Sequence, residues 1–127
     1  MKSWTIVFDL DGTLVDTAPD LATATNHVLK TMGLAPVDDR QILPFVGHGA
    51  RAMIDAATAA RGTKLSEPEL QAAFNAFIAS YSDNIAVRSQ TYPGVIAALD
   101  RLDAAGATLA VCTNKTEALA RKLLSAL

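Results

Sequence analysis

The stretch TIVFDLDGTLVD, residues 5–16, carries the strongest structural signal in the chain. Its first four residues, Thr5 to Phe8, are apolar or β-branched, which predicts a short strand buried on both faces, as in a parallel sheet. Asp9 and Asp11 follow at once, so two carboxylates should lie at the carboxyl end of that strand. Side chains alternate along an extended chain, and the two carboxylates would therefore point the same way. Gly12 lets the backbone turn there and approach a ligand closely.

A second strand of the same kind is predicted at residues 108–112, with Thr113 and Asn114 directly after it. The block between the strands, residues 14–89, has no strand pattern. It contains helix signals, among them a capping box at Ser66–Glu69 and an apolar helical stripe from Leu70 to Tyr81. A strand, a helical insert, a helix, a strand and a last helix make a βαβ unit with a right-handed crossover. We therefore expect an α/β fold with a Rossmann-like parallel-sheet core, of which only the first two strands are present, and an inserted all-helical cap. The predicted division is a partial core at 1–14 and 90–127 and a cap at 15–89.

Parallel strands place their carboxyl ends at one edge of a sheet, and open α/β sheets bind ligands at that edge. If the two strands are neighbours, Asp9 and Asp11 face Thr113 and Asn114 across one crevice. Carboxylate and carbonyl oxygens suit Mg²⁺, and a carboxylate nucleophile beside an acid–base group suits covalent catalysis. A solvated acidic turn is the alternative interpretation of the Asp-x-Asp pattern taken alone.

The longer strings resemble two motifs of the haloacid dehalogenase-like hydrolases. Phe8 to Asp16 is similar to the first motif, and residues 109–115 are similar to the second, an apolar strand followed by Thr113. The helical block between them has the position and length of the family's helical cap. Asp11 favours the phosphatase branch, since the dehalogenases lack an acid at that position. Four further strings resemble those of family members that act on 2-phosphoglycolate, and the resemblance implies that substrate: residues 16–21, 45–50, 92–95 and 112–115.

The resemblance implies a role for each matched residue. Asp9 would attack phosphorus and become an aspartyl-phosphate, while Asp11 would protonate the leaving alkoxide and then activate water. Mg²⁺ would bind the Asp9 carboxylate and the Asp11 main-chain carbonyl. The phosphate oxygens would be held by Asp11, Gly12, Thr113 and Asn114. Phosphoryl transfer depends mainly on positioning and charge stabilisation, which this set supplies.

Two cap residues, His48 and Arg51, are candidates for contact with the substrate. The Arg51 guanidinium could bind a carboxylate bidentately; the alternative for both residues is an ordinary surface position. The family carries a phosphate-binding lysine and further metal-binding carboxylates downstream of its second motif, and this chain ends at Leu127 before either. Lys115 follows Thr113 too closely to be that lysine. The 127 residues are therefore expected to be inactive alone.

The amino-acid composition limits the classes of molecule that the protein is expected to bind. There are 11 Lys and Arg against 13 Asp and Glu, and no basic run that would bind nucleic acid. The apolar start is too short for a signal peptide, and no uncharged run approaches a membrane helix, so we expect a cytoplasmic protein acting on a small phosphate ester. An exposed sheet edge would favour self-association. Three alternatives stay open: a sugar-phosphate mutase, a pyrophosphatase of the same family, or a non-catalytic truncated fragment.

Overall fold

The fold contains a two-stranded parallel sheet. The structure, a computed structural model, describes residues 4–127, so the first three residues of the predicted core segment 1–14 lie outside the described residues. Strand β1 (Thr5–Phe8) pairs with β4 (Thr108–Val111), with Phe8 opposite Val111. This pairing confirms that the two predicted strands are neighbours. It also brings both carboxyl ends to one edge of the sheet.

The sheet is less covered than the sequence predicts. Val7 is 59% exposed and Val111 is 40% exposed, so the expectation of a first strand buried on both faces is wrong. Burial on both faces needs a covering layer on each side of a parallel sheet. Helix α5 (Val95–Ala104) packs against β4, but the described residues leave the Val7 side chain open to solvent.

The insert between the strands is built mainly of helices. Helix α1 (Ala18–Thr31) and helix α3 (Ala50–Ala59) both pack against the long helix α4 (Glu67–Asp83). The capping box predicted at Ser66 is present, because its side chain accepts from the Glu69 N–H and the Glu69 carboxylate accepts from the Ser66 N–H. The fully buried side chains of the insert include Val28, Leu29, Ile42, Ile54, Phe77 and Tyr81.

Two further helices and a 3-10 turn belong to the described chain. Helix α2 (Asp39–Ile42) is capped by Asp38 and continues into a 3-10 turn at Leu43–Phe45. The last helix, α6 (Glu117–Ala126), begins after β4 and is capped by the Thr116 hydroxyl. Among residues 4–127, no helix combines the length and the apolar character needed to span a bilayer.

A second, very short ribbon joins the two ends of the insert. Strand β2 (Val15–Asp16) pairs antiparallel with β3 (Gln90–Thr91). The prediction that residues 14–89 contain no strand is therefore wrong at Val15 and Asp16. Two residues are too few to show a period-2 pattern, and their partner lies at the far end of the insert.

The buried side chain of Asp20 also holds the two ends of the insert together. Its carboxylate is 2% exposed and accepts from the Arg88 N–H at 3.0 Å, the Ser89 N–H at 2.8 Å and the Ser89 hydroxyl at 2.6 Å. The Arg88 guanidinium donates to the Thr23 hydroxyl at 2.9 Å and pairs with Asp39 at 3.2 Å. The start of α1 and the chain entering β3 are thus held together by one buried carboxylate and one arginine.

The uncovered sheet predicts self-association of the 127-residue chain. Free strand edges and exposed apolar side chains pair readily with a second copy, so we expect light scattering to show a mass that rises with concentration. Val7→Lys should restore the monomer, because a charge on an open strand opposes such pairing. Ala59→Lys, on the exposed surface of α3, is the control and should leave association unchanged. A wild-type chain that stays monomeric at every concentration would contradict the prediction.

Candidate active site

Three chain segments meet at the carboxyl edge of the sheet: the turn after β1, the turn after β4, and the loop before α3. Asp9 Oδ1 accepts from the Leu10 N–H at 2.8 Å, which leaves Oδ2 directed away from the backbone. Asp9 Oδ2 and the Asp11 carbonyl oxygen lie 3.7 and 3.9 Å from the point that a Cβ on Gly47 would occupy. Gly47 has φ +89°, which favours glycine. A glycine here keeps open the space on which the two oxygens converge.

The donor set around this space fits a hard cation. One carboxylate oxygen and one main-chain carbonyl are the kinds of ligand that Mg²⁺ takes, with waters filling the remaining positions. Within residues 4–127, no three His, Cys, Asp or Glu side chains gather around a common point. Among the described residues, the oxygens that could contact such an ion in this space are those of the Asp9 carboxylate and the Asp11 carbonyl.

The Asp11 side chain points into the protein, where it meets a buried cation. Lys115 Nζ lies 3.1 Å from Asp11 Oδ1, and the two side chains are 5% and 8% exposed. The contact is a buried ion pair. The same ammonium donates to the Tyr81 hydroxyl at 2.6 Å and lies 4.2 Å from the centroid of that ring. Asp11, Lys115 and Tyr81 thus link the core to helix α4.

Burial affects the two polar groups behind Asp11 in opposite directions. Burial lowers the pKa of the Lys115 ammonium, and the nearby Asp11 carboxylate only partly offsets this. Burial, with the charges of Asp11 and Asp20 as smaller causes, raises the pKa of Tyr81 far above its usual value. The Tyr81 hydroxyl therefore keeps its proton throughout the ordinary pH range.

An apolar cavity of about 100 Å³ lies between these groups and the insert. Asp11 and Lys115 are its charged lining residues, and Gly47 and Asn114 lie at its wall. Such a space accepts a small organic group and holds it beside the ion pair. Its apolar walls are formed by Leu21, Met53, Phe74, Phe77, Ile78 and Leu119.

The predicted residues after β4 also lie at this edge. The Asn114 side-chain amide donates to the Gly47 carbonyl at 2.5 Å, which ties the turn after β4 to the loop before α3. The Thr113 hydroxyl accepts from the Lys115 N–H at 3.1 Å and so shapes its own turn. Asp9, Asp11, Thr113 and Asn114 are therefore gathered at one edge of the sheet.

Gly12 forms the turn that follows Asp11. It has φ +77°, and its N–H donates to the Val15 carbonyl at 2.8 Å. A Cβ at this position would lie 3.2 Å from Val46 Cγ1, which is tighter than ordinary contact. The glycine thus lets the loop before α3 approach the first motif.

The two cap candidates lie beside the cavity without lining it. His48 is exposed in the loop before α3. The Arg51 guanidinium donates to the Gln71 side chain, pairs with Glu67 at 3.8 Å, and sits 5.2 Å above the Phe74 ring centroid. Neither His48 nor Arg51 lines the cavity in this arrangement.

Two residues beside Asp11 are not indicated by the sequence. The helical pattern predicts Tyr81 only as part of an apolar stripe of α4, and the short spacing from Thr113 argues against a site role for Lys115. A signal existed for each. A buried tyrosine usually needs a partner for its hydroxyl, and Lys115 lies just beyond β4, at the same sheet edge as Asp11.

The sequence and the fold of this chain are similar to those of known proteins. A sequence model of the family described as "Haloacid dehalogenase-like hydrolase" matches residues 6–127. The chain belongs to this family. The match confirms the predicted family and its partial Rossmann-like core with a helical cap.

The relatives within the family include phosphatases with different substrates. The chain is 50% identical to a phosphoglycolate phosphatase of Agrobacterium fabrum, over 95% of the chain and 52% of the relative. It is 36% identical to an N-acetylmuramic acid 6-phosphate phosphatase of Pseudomonas aeruginosa, over 100% of the chain and 55% of the relative. A crystal structure of a predicted phosphoglycolate phosphatase from Haemophilus somnus superposes with a TM-score of 0.85 at 33% identity, covering 97% of the chain and 56% of that structure. The chain thus spans about half the length of these relatives.

The buried ion pair predicts strong thermodynamic coupling between Lys115 and Asp11. Lys115→Met should lower the free energy of unfolding by about 3 kcal/mol, because it leaves a buried carboxylate without its counter-charge. In an Asp11→Leu background the same change should cost less than about 1 kcal/mol, because no unpaired charge remains. Urea denaturation of the four variants measures this coupling. Lys122→Met, at an exposed position, is the control, and equal losses in both backgrounds would contradict the pairing.

Proposed function

We propose that the protein is a phosphatase that hydrolyses a small phosphate ester through an aspartyl-phosphate on Asp9, with 2-phosphoglycolate as the favoured substrate. The contrast between its two carboxylates carries the proposal. Asp9 is exposed and, among residues 4–127, only one of its carboxylate oxygens accepts a hydrogen bond, which leaves the other available as a nucleophile. Asp11 is buried and lines the cavity, where it could reach the ester oxygen of a bound substrate. The relatives named above as phosphatases support hydrolysis of a phosphate ester as the class of reaction.

Two displacements at phosphorus make up the proposed reaction. Asp9 Oδ2 forms a bond to phosphorus while the bond to the ester oxygen breaks. The departing oxygen takes a proton from Asp11, which must enter this step in its protonated form. Asp11, now ionised, takes a proton from a water molecule that attacks the same phosphorus. The bond between phosphorus and Asp9 then breaks, which restores both carboxyl groups. Dividing the reaction in this way replaces one difficult step by two easier ones.

The phosphoryl group would be held at the sheet edge by Asp11, Gly12, Thr113 and Asn114, and Mg²⁺ by the Asp9 carboxylate and the Asp11 carbonyl. When bound, Mg²⁺ neutralises negative charge on the phosphoryl group and the nucleophile. We propose residues 15–89 as the cap and 1–14 with 90–127 as the core that carries these groups.

The cavity supports a small substrate. A space of about 100 Å³ has room for a short organic group and not for a complete amino sugar. Arg51 remains a proposed contact for a substrate carboxylate, and His48 a proposed neighbour. Reaching the cavity requires the Arg51 guanidinium to leave Glu67 and Gln71.

Substitution of each carboxylate tests the proposed chemistry. In the intact protein, Asp9→Asn should abolish hydrolysis of 2-phosphoglycolate, because the nucleophile is lost. Asp11→Asn should lower kcat by at least about a hundredfold, the usual contribution of a general acid–base group. Asp55→Asn, on the exposed side of α3, is the matched control and should keep normal activity. Near-normal turnover by Asp9→Asn would exclude the assigned nucleophile. Faster hydrolysis of N-acetylmuramic acid 6-phosphate than of 2-phosphoglycolate would exclude the favoured substrate.

A pair of glycines tests the metal site. Gly47→Ala and Gly62→Ala both place a side chain at positive φ, and each should lose about 1 kcal/mol of stability. Only at Gly47 would the new methyl group enter the space between Asp9 Oδ2 and the Asp11 carbonyl, whereas nothing lies within 4 Å at Gly62. Mg²⁺ titration of activity should therefore show weaker binding for Gly47→Ala alone. The same Mg²⁺ dependence in both variants would place the metal elsewhere.

A further inference from the structure

We propose that Phe74 determines how large an alcohol group the cavity accepts, and so limits the range of phosphate esters that the protein binds. The inference rests on the proposed function, because it takes the cavity beside Asp11 as the place of the alcohol group of the ester. It adds to that function the residue that sets the size limit and the direction in which the limit can be moved.

Phe74 lies at the end of the cavity that is remote from Asp11. The side of helix α4 that lines the cavity is formed by Phe74, Phe77, Ile78 and Tyr81. The Tyr81 hydroxyl accepts from Lys115 Nζ, which lies next to Asp11. From Phe74 to Tyr81 an α-helix rises by about 10 Å. A group that extends along α4 from the phosphoryl position therefore meets Phe74 at its far end.

Phe74 is also a lining side chain that can change without a large loss of core packing. Phe77 is 1% exposed and belongs to the core of the insert, whereas Phe74 is only half-buried. The Arg51 guanidinium lies over the Phe74 ring, 5.2 Å from its centroid, and does not line the cavity. A cation over an aromatic face is attracted to it, and Arg51 also pairs with Glu67 of the same helix. These surface contacts hold the ring in place as a wall of the cavity.

A wall of this kind selects ligands by their size. One methylene group more or less in an apolar pocket changes discrimination by about 10-fold to 200-fold. A group longer than the cavity must displace the Phe74 ring from its contacts. Removing the ring opens the cavity toward solvent, because Phe74 is half-buried, and leaves room for a larger apolar group.

Two phosphonates that differ in the size of an apolar group test this limit. Ethylphosphonate and cyclohexylmethylphosphonate carry a phosphorus–carbon bond that ester hydrolysis does not cleave, so their binding is measured without turnover. Isothermal titration calorimetry on the intact protein with Mg²⁺ should show that the wild type binds the smaller probe more tightly. Phe74→Ala should tighten binding of cyclohexylmethylphosphonate by at least about tenfold and change that of ethylphosphonate by less than about threefold.

Other substitutions at the same position keep the test decisive if Phe74→Ala fails to fold. Phe74→Leu should tighten binding of the larger probe relative to the smaller one, and Phe74→Trp should weaken it, because the side chain shrinks in one variant and grows in the other. Leu70→Ala is the matched control. Leu70 lies one turn earlier on α4, is half-buried against the core and does not line the cavity, so the ratio of the two dissociation constants should stay unchanged.

The outcomes can be told apart. A ratio of the two dissociation constants that follows the size of the side chain at Phe74, and is unchanged in Leu70→Ala, supports the inference. The same ratio in every variant, an equal shift in Leu70→Ala, or no binding of either probe to the wild type overturns it. Failure of the proposed function has a different signature, since Asp9→Asn would then retain hydrolysis of 2-phosphoglycolate whatever the phosphonates do.

Discussion

The parallel pairing of β1 with β4 is the contact on which the other features depend. Two parallel strands cannot be joined by a tight turn, so the chain between Phe8 and Thr108 must leave the sheet and return. The entropy cost of closing a loop rises only slowly with its length, and a whole helical insert is therefore accepted. The return brings Asp9 and Asp11 to the same sheet edge as Thr113. Chemistry at this edge is thus a consequence of strand direction.

Contacts at the two ends of the insert fix its position relative to that edge. The β2–β3 ribbon joins the outgoing and returning chain, and the Asp20 carboxylate binds two main-chain amides and a hydroxyl across the same junction. Hydrogen bonds to a charged group contribute about 1.5–3 kcal/mol each, so the junction resists spreading. With both ends held, the loop before α3 places Gly47 next to the oxygens of the first motif. The apolar walls of the cavity follow from the same placement.

Features encoded within a few residues could be predicted from the sequence. Ser66 and Glu69 form their capping box through contacts three residues apart, and the residues 5–8 and 108–111 show their strand character in composition alone. Other features depend on partners far along the chain. The β2–β3 ribbon has no local pattern, and the exposure of Val7 depends on what covers the sheet rather than on the strand itself. The motif around Asp11 indicates that residue as a candidate from the sequence alone. Lys115 and Tyr81 can be recognised as its neighbours only once the fold brings them together.

The cost of burying Lys115 bears on why those two residues are present. Removing an ammonium from water costs several kcal/mol, and replacing a buried ion pair by apolar side chains is often neutral or stabilising. A fold selected for stability alone would gain little from a lysine in a cavity whose walls are otherwise mostly apolar. Groups with perturbed pKa values in such a cavity are concentrated at functional sites, and the pKa of Lys115 is lowered by burial at this position. The Lys115–Asp11 ion pair is thus better explained by its place at the candidate site than by what it contributes to the free energy of folding. The insert also contributes to the surroundings of this pair, because Tyr81 in α4 accepts a hydrogen bond from the Lys115 ammonium.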